Sequence, residues 1–137
     1  WSNKIVGYSI DTRMKSSLAR AAMRNAIALR SPAGTVCHSD RGGQFRAKRT
    51  QRLLANNDLV GSMGRSHGAG DNASMESFFS LLQKNVLNTR RWDTRDDLRL
   101  AIVTWIERTY HRRRRQRALG KTTPVEFETI YWPTKAA

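Results

Sequence analysis

The chain has 137 residues, of which 39% are apolar, so it can form one domain with a core and is not a disordered tail. Its 25 Lys and Arg residues outnumber 11 Asp and Glu residues, which gives a formal net charge of +14 at pH 7. Because such an excess repels itself in a compact fold, it indicates a polyanionic partner, with nucleic acid first and an anionic membrane surface second.

The first part of the chain predicts a strand, a helix and a second strand. Residues 1–10 are typical of a strand and resemble the interior of a longer protein. Apolar residues at helical spacing predict a helix over residues 16–29, which the segment 31–34, with its proline and glycine, would end. Residues 35–38 predict a short buried strand that ends at Asp40.

The middle of the chain continues the alternation of helices and strands. A glycine turn at residues 41–43 precedes a weak helix over residues 45–56 and a strand over residues 59–63. The polar segment 64–72 contains three glycines and predicts a loop, and a functional mobile loop is favoured over a plain connector. This alternation indicates an α/β sheet, in which sites lie beyond the carboxyl ends of the strands, and Asp40 falls at such an end.

The last part of the chain predicts three helices. The first covers residues 73–87 and the second covers residues 94–110, where Thr94 and Asp97 resemble a capping box. A third begins near Thr123, with a proline in its first turn. The predicted buried faces consist of Met75, Phe78, Phe79, Leu82 and Val86 on the first helix, and of Leu98, Ala101, Ile102, Trp105 and Thr109 on the second. Glu76, Ser80 and Gln83 fall on a more polar face of the first helix.

Asp40 and Glu76 are the most informative pair, with 35 residues between them. A carboxylate at a strand end and another on a later helix can share divalent metal ions, which suits phosphodiester chemistry because hard cations prefer oxygen ligands. Taken alone, Asp40 would be a turn aspartate that caps a helix. Glu76 alone would be a solvated first-turn glutamate that the helix dipole favours.

Four stretches of the chain carry a family resemblance. Residues 38–45 and 71–79 resemble the second and third acidic motifs of the DDE transposases, and residues 110–127 resemble their C-terminal signature. Residues 2–8 resemble the family's third strand. The most similar branch is that of bacterial insertion sequences of the IS-three type, which are relatives of retroviral integrases.

This resemblance implies an RNase H-like fold, a mixed sheet flanked by helices, and metal-dependent DNA cleavage and strand transfer in transposition. It implies that Asp40 and Glu76 are catalytic and bind metal, with two Mg²⁺ or Mn²⁺ ions in the complete site. DNA is the implied partner, and the family works as a homo-oligomer on DNA. Residues 1–110 would be a partial catalytic core, and residues 111–137 a basic C-terminal segment of the same domain.

The resemblance also defines what this chain lacks. The family's first two strands, with the first catalytic aspartate, would precede residue 1, so we expect the segment to be inactive alone. We also expect it to be poorly stable, aggregated or completed by another chain, because strand edges would be exposed. The alternative is a non-catalytic DNA-binding remnant of a transposase. A basic RNA-binding protein is disfavoured, because RNA binding does not need carboxylates at this spacing.

The remaining residues bear on location and on false leads. Cys37 is the only cysteine and excludes an internal disulfide, and no apolar run or signal pattern predicts export or a membrane span, so we expect a cytoplasmic, nucleoid-associated protein. Cys37 and His38 are interpreted as core residues of a buried strand rather than as a nucleophile and a ligand. Phe78 and Phe79 are interpreted as core rather than as base-stacking residues. Asp71 and Asn72 fit helix capping and DNA contact equally well.

Several basic residues are candidates for DNA contact. Arg112, Arg113, Arg114, Arg115 and Arg117 place five arginines in six positions, for which phosphate contact is favoured over a solvated face. Arg90 and Arg91 are weaker candidates of the same kind. Lys84 follows Gln83, where the family often has lysine, and lies about 80° around an ideal helix from Glu76, which weakens its case. His111 and Gln116 replace the asparagine and histidine that the family signature usually carries.

We predict that replacing Arg112, Arg113 and Arg114 by alanine flattens the salt dependence of duplex binding. For each phosphate that is no longer neutralised, the slope of log affinity against log salt should fall by about 0.9, because fewer counterions are released. Titration of a labelled duplex at several salt concentrations measures this slope. An unchanged slope would contradict the assignment of these arginines to phosphate binding.

Overall fold

The computed structural model describes residues 1–13, 15–64 and 73–132. Within these ranges the chain has a mixed α/β architecture, a small parallel sheet flanked by helices. The strands are β1 Thr35–Ser39 and β2 Leu59–Met63, and the helices are α1 Ser16–Arg30, α2 Gly43–Arg46, α3 Lys48–Ala55, α4 Ala73–Leu82, α5 Arg95–Thr104 and α6 Pro124–Tyr131. The helix α4 continues as a π-helical turn, Gln83–Leu87, and α5 as another, Trp105–Tyr110, and a 3₁₀ turn covers Arg117–Leu119.

The chain divides into two compact units. The sheet unit comprises Val6–Phe78, and the helical unit comprises Trp1–Ile5 together with Phe79–Ala137. The predicted division into residues 1–110 and 111–137 follows sequence similarity and stays a prediction.

The sheet unit is built on one strand–helix–strand crossover. The strands β1 and β2 pair in parallel with Thr35 opposite Leu59 and Ser39 opposite Met63, and α2 and α3 form the connection between them. Parallel strands need such a crossover, because a tight turn can join only antiparallel ones. Both predicted strands are thereby confirmed. The mixed sheet of the RNase H-like fold stays a prediction, because the described sheet has two parallel strands.

The prediction that residues 35–38 form a buried strand is wrong in its burial. Val36 is 61% exposed and His38 is exposed, while Cys37 is half-buried. A two-stranded sheet leaves side chains of its strands uncovered, whereas full burial requires packing on both faces. The half-burial of Cys37 raises the pKa of its thiol through desolvation, which fits an unreactive side chain.

The predicted strand over residues 1–10 is also wrong, because these residues adopt no regular structure. A strand needs a hydrogen-bonded neighbour, and in the described ranges the only ladder joins β1 to β2. Residues 6–10 belong to the sheet unit, where Gly7 lies against α1. A Cβ atom at Gly7 would collide with Ala22 O and would lie 2.7 Å from Ala26 N, so only glycine fits without a shift.

The helices follow the predicted spacing with local differences. The helix predicted over residues 16–29 is confirmed as α1, which ends where Ser31 enters the left-handed region at φ 42°. The helix predicted over residues 45–56 is two helices, because the backbone at Ala47 is extended (ψ 133°). The buried hydroxyl of Thr50 donates to Gln44 O at 2.8 Å and holds the two pieces together.

The helical unit has a core from several elements, which holds Leu82, Val86, Ile102, Trp105, Ile106, Tyr110 and Leu119. The predicted faces are therefore confirmed in part, and the predicted members Met75 and Phe79 are exposed. Both π-helical turns widen the helix, with His111 N donating to Ile106 O at 3.0 Å across five residues. That wide turn brings Tyr110 into the core, where the α-helical pattern predicted Thr109. The capping box of Thr123 and Glu126 at the start of α6 is confirmed.

Residues 2–5 are fastened to the C-terminal part of the helical unit by side chains. Ser2 Oγ donates to Glu128 Oε1 at 2.7 Å, and Lys4 Nζ lies 3.3 Å from Glu128 Oε2. Asn3 Nδ2 donates to Gln116 Oε1 at 3.0 Å. These contacts satisfy the buried carboxylate of Glu128, which would otherwise be costly to keep charged away from water.

His111 completes this attachment and has a defined tautomer. Its ring is 2% exposed, and Nε2 accepts from Ile5 N at 3.0 Å. Because Nε2 accepts, the neutral ring carries its proton on Nδ1, which donates to Glu107 Oε2 at 3.2 Å. The residues that depart from the family signature, His111 and Gln116, thus both bind the segment Ser2–Ile5.

None of the helices in the described ranges combines the length and the hydropathy needed to cross a lipid bilayer.

We predict that acid destabilises the helical unit through His111. Burial lowers the pKa of His111 below its ordinary 6.5, against the opposing effect of Glu107, so the folded ring resists protonation. The unfolded chain then binds more protons, and the free energy of unfolding should be fully retained above about pH 6.5 and fall as the pH drops through the lower folded pKa. Tryptophan fluorescence during urea denaturation reports this unit, because all four tryptophans lie in it.

The matched control is His38→Gln, which removes an exposed histidine from the sheet unit and should leave the acid dependence intact. In His111→Gln the decrease in stability between pH 7 and pH 5 should be smaller than in the native chain. Parallel decreases in the native chain and in His111→Gln would contradict the prediction.

Candidate catalytic carboxylates and basic surface

Asp40 lies directly after the carboxyl end of β1 and is exposed. Its Oδ1 accepts from Gly42 N at 2.8 Å, so the aspartate closes a tight turn over the glycine pair. The turn role that a lone aspartate predicts is therefore present. It uses one carboxylate oxygen and orients the group at the edge of the sheet.

The carboxyl ends of the two strands are joined at this edge. Gly64 N donates to Ser39 O at 3.1 Å, one step beyond the last ladder pair. Arg41 Nε donates to Gly64 O at 3.0 Å and ties the turn after β1 to the residue after β2. Gly64 is buried, so the chain that runs on toward α4 leaves from a fixed point beside Asp40.

Glu76 lies in the first turn of α4, is exposed, and belongs to the sheet unit together with Asp40. The predicted loop over residues 64–72 lies outside the described residues beyond Gly64, as do Asp71 and Asn72. The meeting of the Asp40 and Glu76 carboxylates at a shared ion stays a prediction.

The donor atoms available here suit a hard divalent cation. In the ranges 1–13, 15–64 and 73–132, no three His, Cys, Asp or Glu side chains form a group that could hold a metal ion. Asp40 and Glu76 therefore offer two carboxylates, which matches the way Mg²⁺ binds through one or two carboxylates, water and substrate phosphates. The residues present fit Mg²⁺ or Mn²⁺ as part of a ligand set.

Two other titratable residues near β1 do not enlarge this set. His38, predicted to be a packed structural histidine, is instead exposed, with Nδ1 3.1 Å from Ser62 Oγ on the paired strand. That hydroxyl holds the ring across the ladder. Asp11 accepts from Thr12 N at 2.6 Å and caps its own turn, so it has a local role.

Lys84 lies in the π-helical turn Gln83–Leu87 and is exposed, as is Gln83. Asn88 N donates to Gln83 O at 2.9 Å, a five-residue span that widens the helix at this point. The angle of about 80° between Lys84 and Glu76 assumes an ideal α-helix, and the widened turn changes the phase of residues that follow Gln83. Nothing in the sequence pattern signalled this turn.

The arginines predicted to contact DNA have different surroundings. Arg112, Arg113 and Arg115 are exposed, whereas Arg114 is half-buried with its guanidinium 5.7 Å from the centre of the Tyr110 ring. Arg114 therefore contributes to packing as well as to charge. The distinction depends on which way the chain turns after Tyr110, which four successive identical residues do not reveal.

Arg90 and Arg91 form a second exposed basic pair in the helical unit. The guanidinium of Arg90 lies 4.3 Å from the centre of the Trp92 ring, and Trp92 Nε1 donates to Leu87 O at 3.4 Å. Stacking on a fixed ring restrains the guanidinium while leaving it in contact with solvent, which suits phosphate binding.

Comparisons with known proteins cover nearly the whole chain. A family described as integrase core domain matches residues 1–68, and a second family of the same description matches residues 58–124. The transposase for insertion sequence element IS629 of Shigella sonnei is 34% identical over 93% of this chain and 43% of that protein. The transposase InsF for insertion sequence IS3A of Escherichia coli K12 is 34% identical over 93% of this chain and 45% of that protein. The transposase for insertion sequence element IS904 of Lactococcus lactis is 33% identical over 93% of this chain and 51% of that protein.

The fold has a counterpart among solved structures. A chain of the simian T-cell lymphotropic virus intasome, in complex with PP2A regulatory subunit B56 gamma, superposes with a TM-score of 0.65 at 15% identity. The match covers 90% of this chain and 43% of that chain. At this identity the likeness concerns the fold alone.

We predict that Arg113→Ala and Arg114→Ala affect different properties. Arg113 is exposed, so its removal should lower the salt slope of duplex binding by about 0.9 if it neutralises one phosphate. Arg114 packs on Tyr110, so its removal should change the slope less and lower the urea midpoint of unfolding more. Salt titrations and urea denaturation of the two variants test this, each variant serving as the other's control. The reverse pattern would contradict the assignment.

Proposed function

The chain belongs to the integrase core family, and from that membership we propose that it is the C-terminal part of a transposase catalytic core, which cleaves and joins DNA in transposition. The chain spans about half the length of the curated relatives it matches, so the activity is proposed for the whole protein. A cytoplasmic, nucleoid-associated location and a homo-oligomer on DNA accompany this proposal as predictions.

The observation that carries the proposal is the position of Asp40. It lies beyond the carboxyl end of a parallel strand, beside the point from which the chain leaves toward α4 and Glu76. Catalytic groups of open α/β sheets lie at this edge. The RNase H-like fold is part of the proposal, supported by the parallel crossover and by the likeness to a retroviral intasome chain.

In the proposed reaction, Asp40 and Glu76 hold divalent ions against the DNA backbone. When bound, two Mg²⁺ or Mn²⁺ ions would supply activation of a water or a DNA 3′ hydroxyl and stabilisation of the leaving oxygen. The Gly42 N–H orients the carboxylate of Asp40 through its Oδ1 atom. Exposed Arg112, Arg113 and Arg115 bind phosphates of the substrate and position it.

A non-catalytic DNA-binding remnant is the second candidate. It is favoured by the small number of carboxylates, because the described ranges contain no group of three His, Cys, Asp or Glu that could hold a metal ion. The basic surface alone would support such a role, and the two candidates differ in whether cleavage depends on Glu76.

We predict that Glu76→Gln abolishes metal-dependent cleavage by the full-length product of the gene that encodes this chain. Loss of a carboxylate that holds the ions should lower the rate of nicking by about a hundredfold or more, with duplex binding retained. The assay uses a duplex that carries the ends of the element, with Mg²⁺ or Mn²⁺. The chain of 137 residues alone should bind the same duplex without cutting it.

Asp96→Asn is the matched control, because it also removes an exposed carboxylate from the first turn of a helix, α5. It should cleave at a rate close to that of the native protein. Cleavage that survives Glu76→Gln would exclude the catalytic role of Glu76, and a full-length protein that binds the duplex without ever cutting it would favour the remnant.

A further inference from the structure

Four aromatic side chains of the helical unit form one cluster, defined by Trp1, Phe127, Tyr131 and Trp132. The ring centres of Trp1 and Phe127 are 5.0 Å apart, with planes at 75°, and those of Trp1 and Trp132 are 5.5 Å apart, at 89°. The rings of Phe127 and Tyr131 are 4.6 Å apart on α6. The cluster joins the first residue of the chain to the C-terminal helix.

The aromatic cluster borders an open cavity of about 450 Å³, lined by Trp1, Tyr131 and Trp132. Trp1 is 68% exposed and Tyr131 is 63% exposed. Because the planes of Trp1 and Trp132 are nearly perpendicular, they form a corner that offers a planar ligand one ring face and one ring edge. The volume lies within the range of sites for small planar groups.

The exposure of these rings calls for a ligand. An aromatic side chain buries roughly 150–250 Å² when it is covered, and leaving several such rings uncovered forgoes that stabilisation. Contiguous apolar surface of this kind marks interaction sites more often than chance exposure of single residues does.

The charges around the aromatic cluster admit an anionic ligand. The carboxylate of Glu128 on the same helix is buried and compensated by Lys4 and Ser2. The carboxylate of Glu126 accepts from Thr123 N at 2.9 Å within the capping box. By sequence, the helical unit carries fourteen Lys and Arg residues against six Asp and Glu residues.

We propose that the aromatic cluster stacks an unpaired nucleobase of single-stranded DNA, an inference that rests on the proposed function in DNA processing. Exposed ring faces bind bases by stacking, and every base has a π face, so the site would tolerate any sequence. Duplex DNA presents no free base faces along its length, which makes the site selective for single strands and frayed ends. The positive charge of the helical unit supplies attraction for the phosphates.

A second copy of this chain is a weaker candidate as the occupant. Two helical units brought together through their aromatic clusters would each contribute an excess of positive charge, and this repulsion opposes the contact. DNA neutralises the same charge, so charge complementarity favours it.

The test compares single-stranded and duplex binding by the chain of 137 residues at one salt concentration. The probe is a labelled thymine oligonucleotide of about 15 nucleotides, within reach of one binding groove, and a duplex of equal length. Trp1→Ala and Tyr131→Ala should each weaken single-strand binding by about tenfold, while duplex affinity changes by less than about twofold. Leu100→Ala removes an exposed apolar side chain from α5 and should change neither affinity.

Conservative variants separate stacking from damage to the fold. Trp1→Phe and Tyr131→Phe keep an aromatic ring and should retain most of the single-strand affinity. Quenching of tryptophan emission by the oligonucleotide should be reduced in Trp132→Phe and unchanged in Trp92→Phe. Phenylalanine variants as weak as the alanine variants would overturn the proposal.

Three further results would overturn it. Alanine variants that bind single strands like the native chain exclude the aromatic cluster, and equal weakening on single strands and duplex excludes base stacking. Self-association that Trp1→Ala abolishes, with single-strand binding unchanged, would assign the aromatic cluster to a second copy. Duplex binding with no ring-dependent single-strand binding would reject this inference alone, whereas absence of binding to either DNA would reject the proposed function as well.

Discussion

Parallel pairing of β1 with β2 is the constraint on which the chemistry of this chain depends. In a parallel pair both strands end at the same edge, so the turn that holds Asp40 and the residue from which the chain leaves toward α4 are neighbours. Arg41 reinforces this by binding Gly64 O from the turn after β1. A one-residue slip of the register would turn alternate side chains to the other face and separate these groups. The two glycines after Asp40 serve the same edge, because Gly42 brings its N–H close to the carboxylate.

The helical unit depends on a different set of interactions, in which polar side chains secure a short segment without regular structure. Ser2, Lys4 and Ile5 all bind groups that lie far along the sequence, and the acceptors Glu128 and His111 are buried. Each contact satisfies a polar group that would be costly to bury alone. The exposed arginines and the aromatic cluster lie on this same unit, so the surface proposed to meet DNA is supported by its buried polar network.

Sequence reasoning found the elements well and their environments less well. The strand over residues 59–63 and the capping box at Thr123 depend on local preference, and both match the structure. The burial of Val36 and His38 was predicted wrongly, because burial depends on how many strands and helices cover a sheet, which is a non-local property. The two candidate carboxylates were found from their spacing and family resemblance. The packing of Arg114 and the aromatic cluster were missed, because each joins residues through the tertiary fold rather than through periodicity.

The wide turn at Trp105–Tyr110 has a consequence for how this family varies. A π-helical turn accommodates one residue more than the α-helix would hold over the same length. Deleting a single residue there would restore the ordinary ladder and rotate everything that follows by about 100°, since each residue of an α-helix turns the chain by that amount. Tyr110 would leave the core and the arginines would face a new direction. Single-residue gaps among relatives at this point would therefore track the direction in which their basic surface faces.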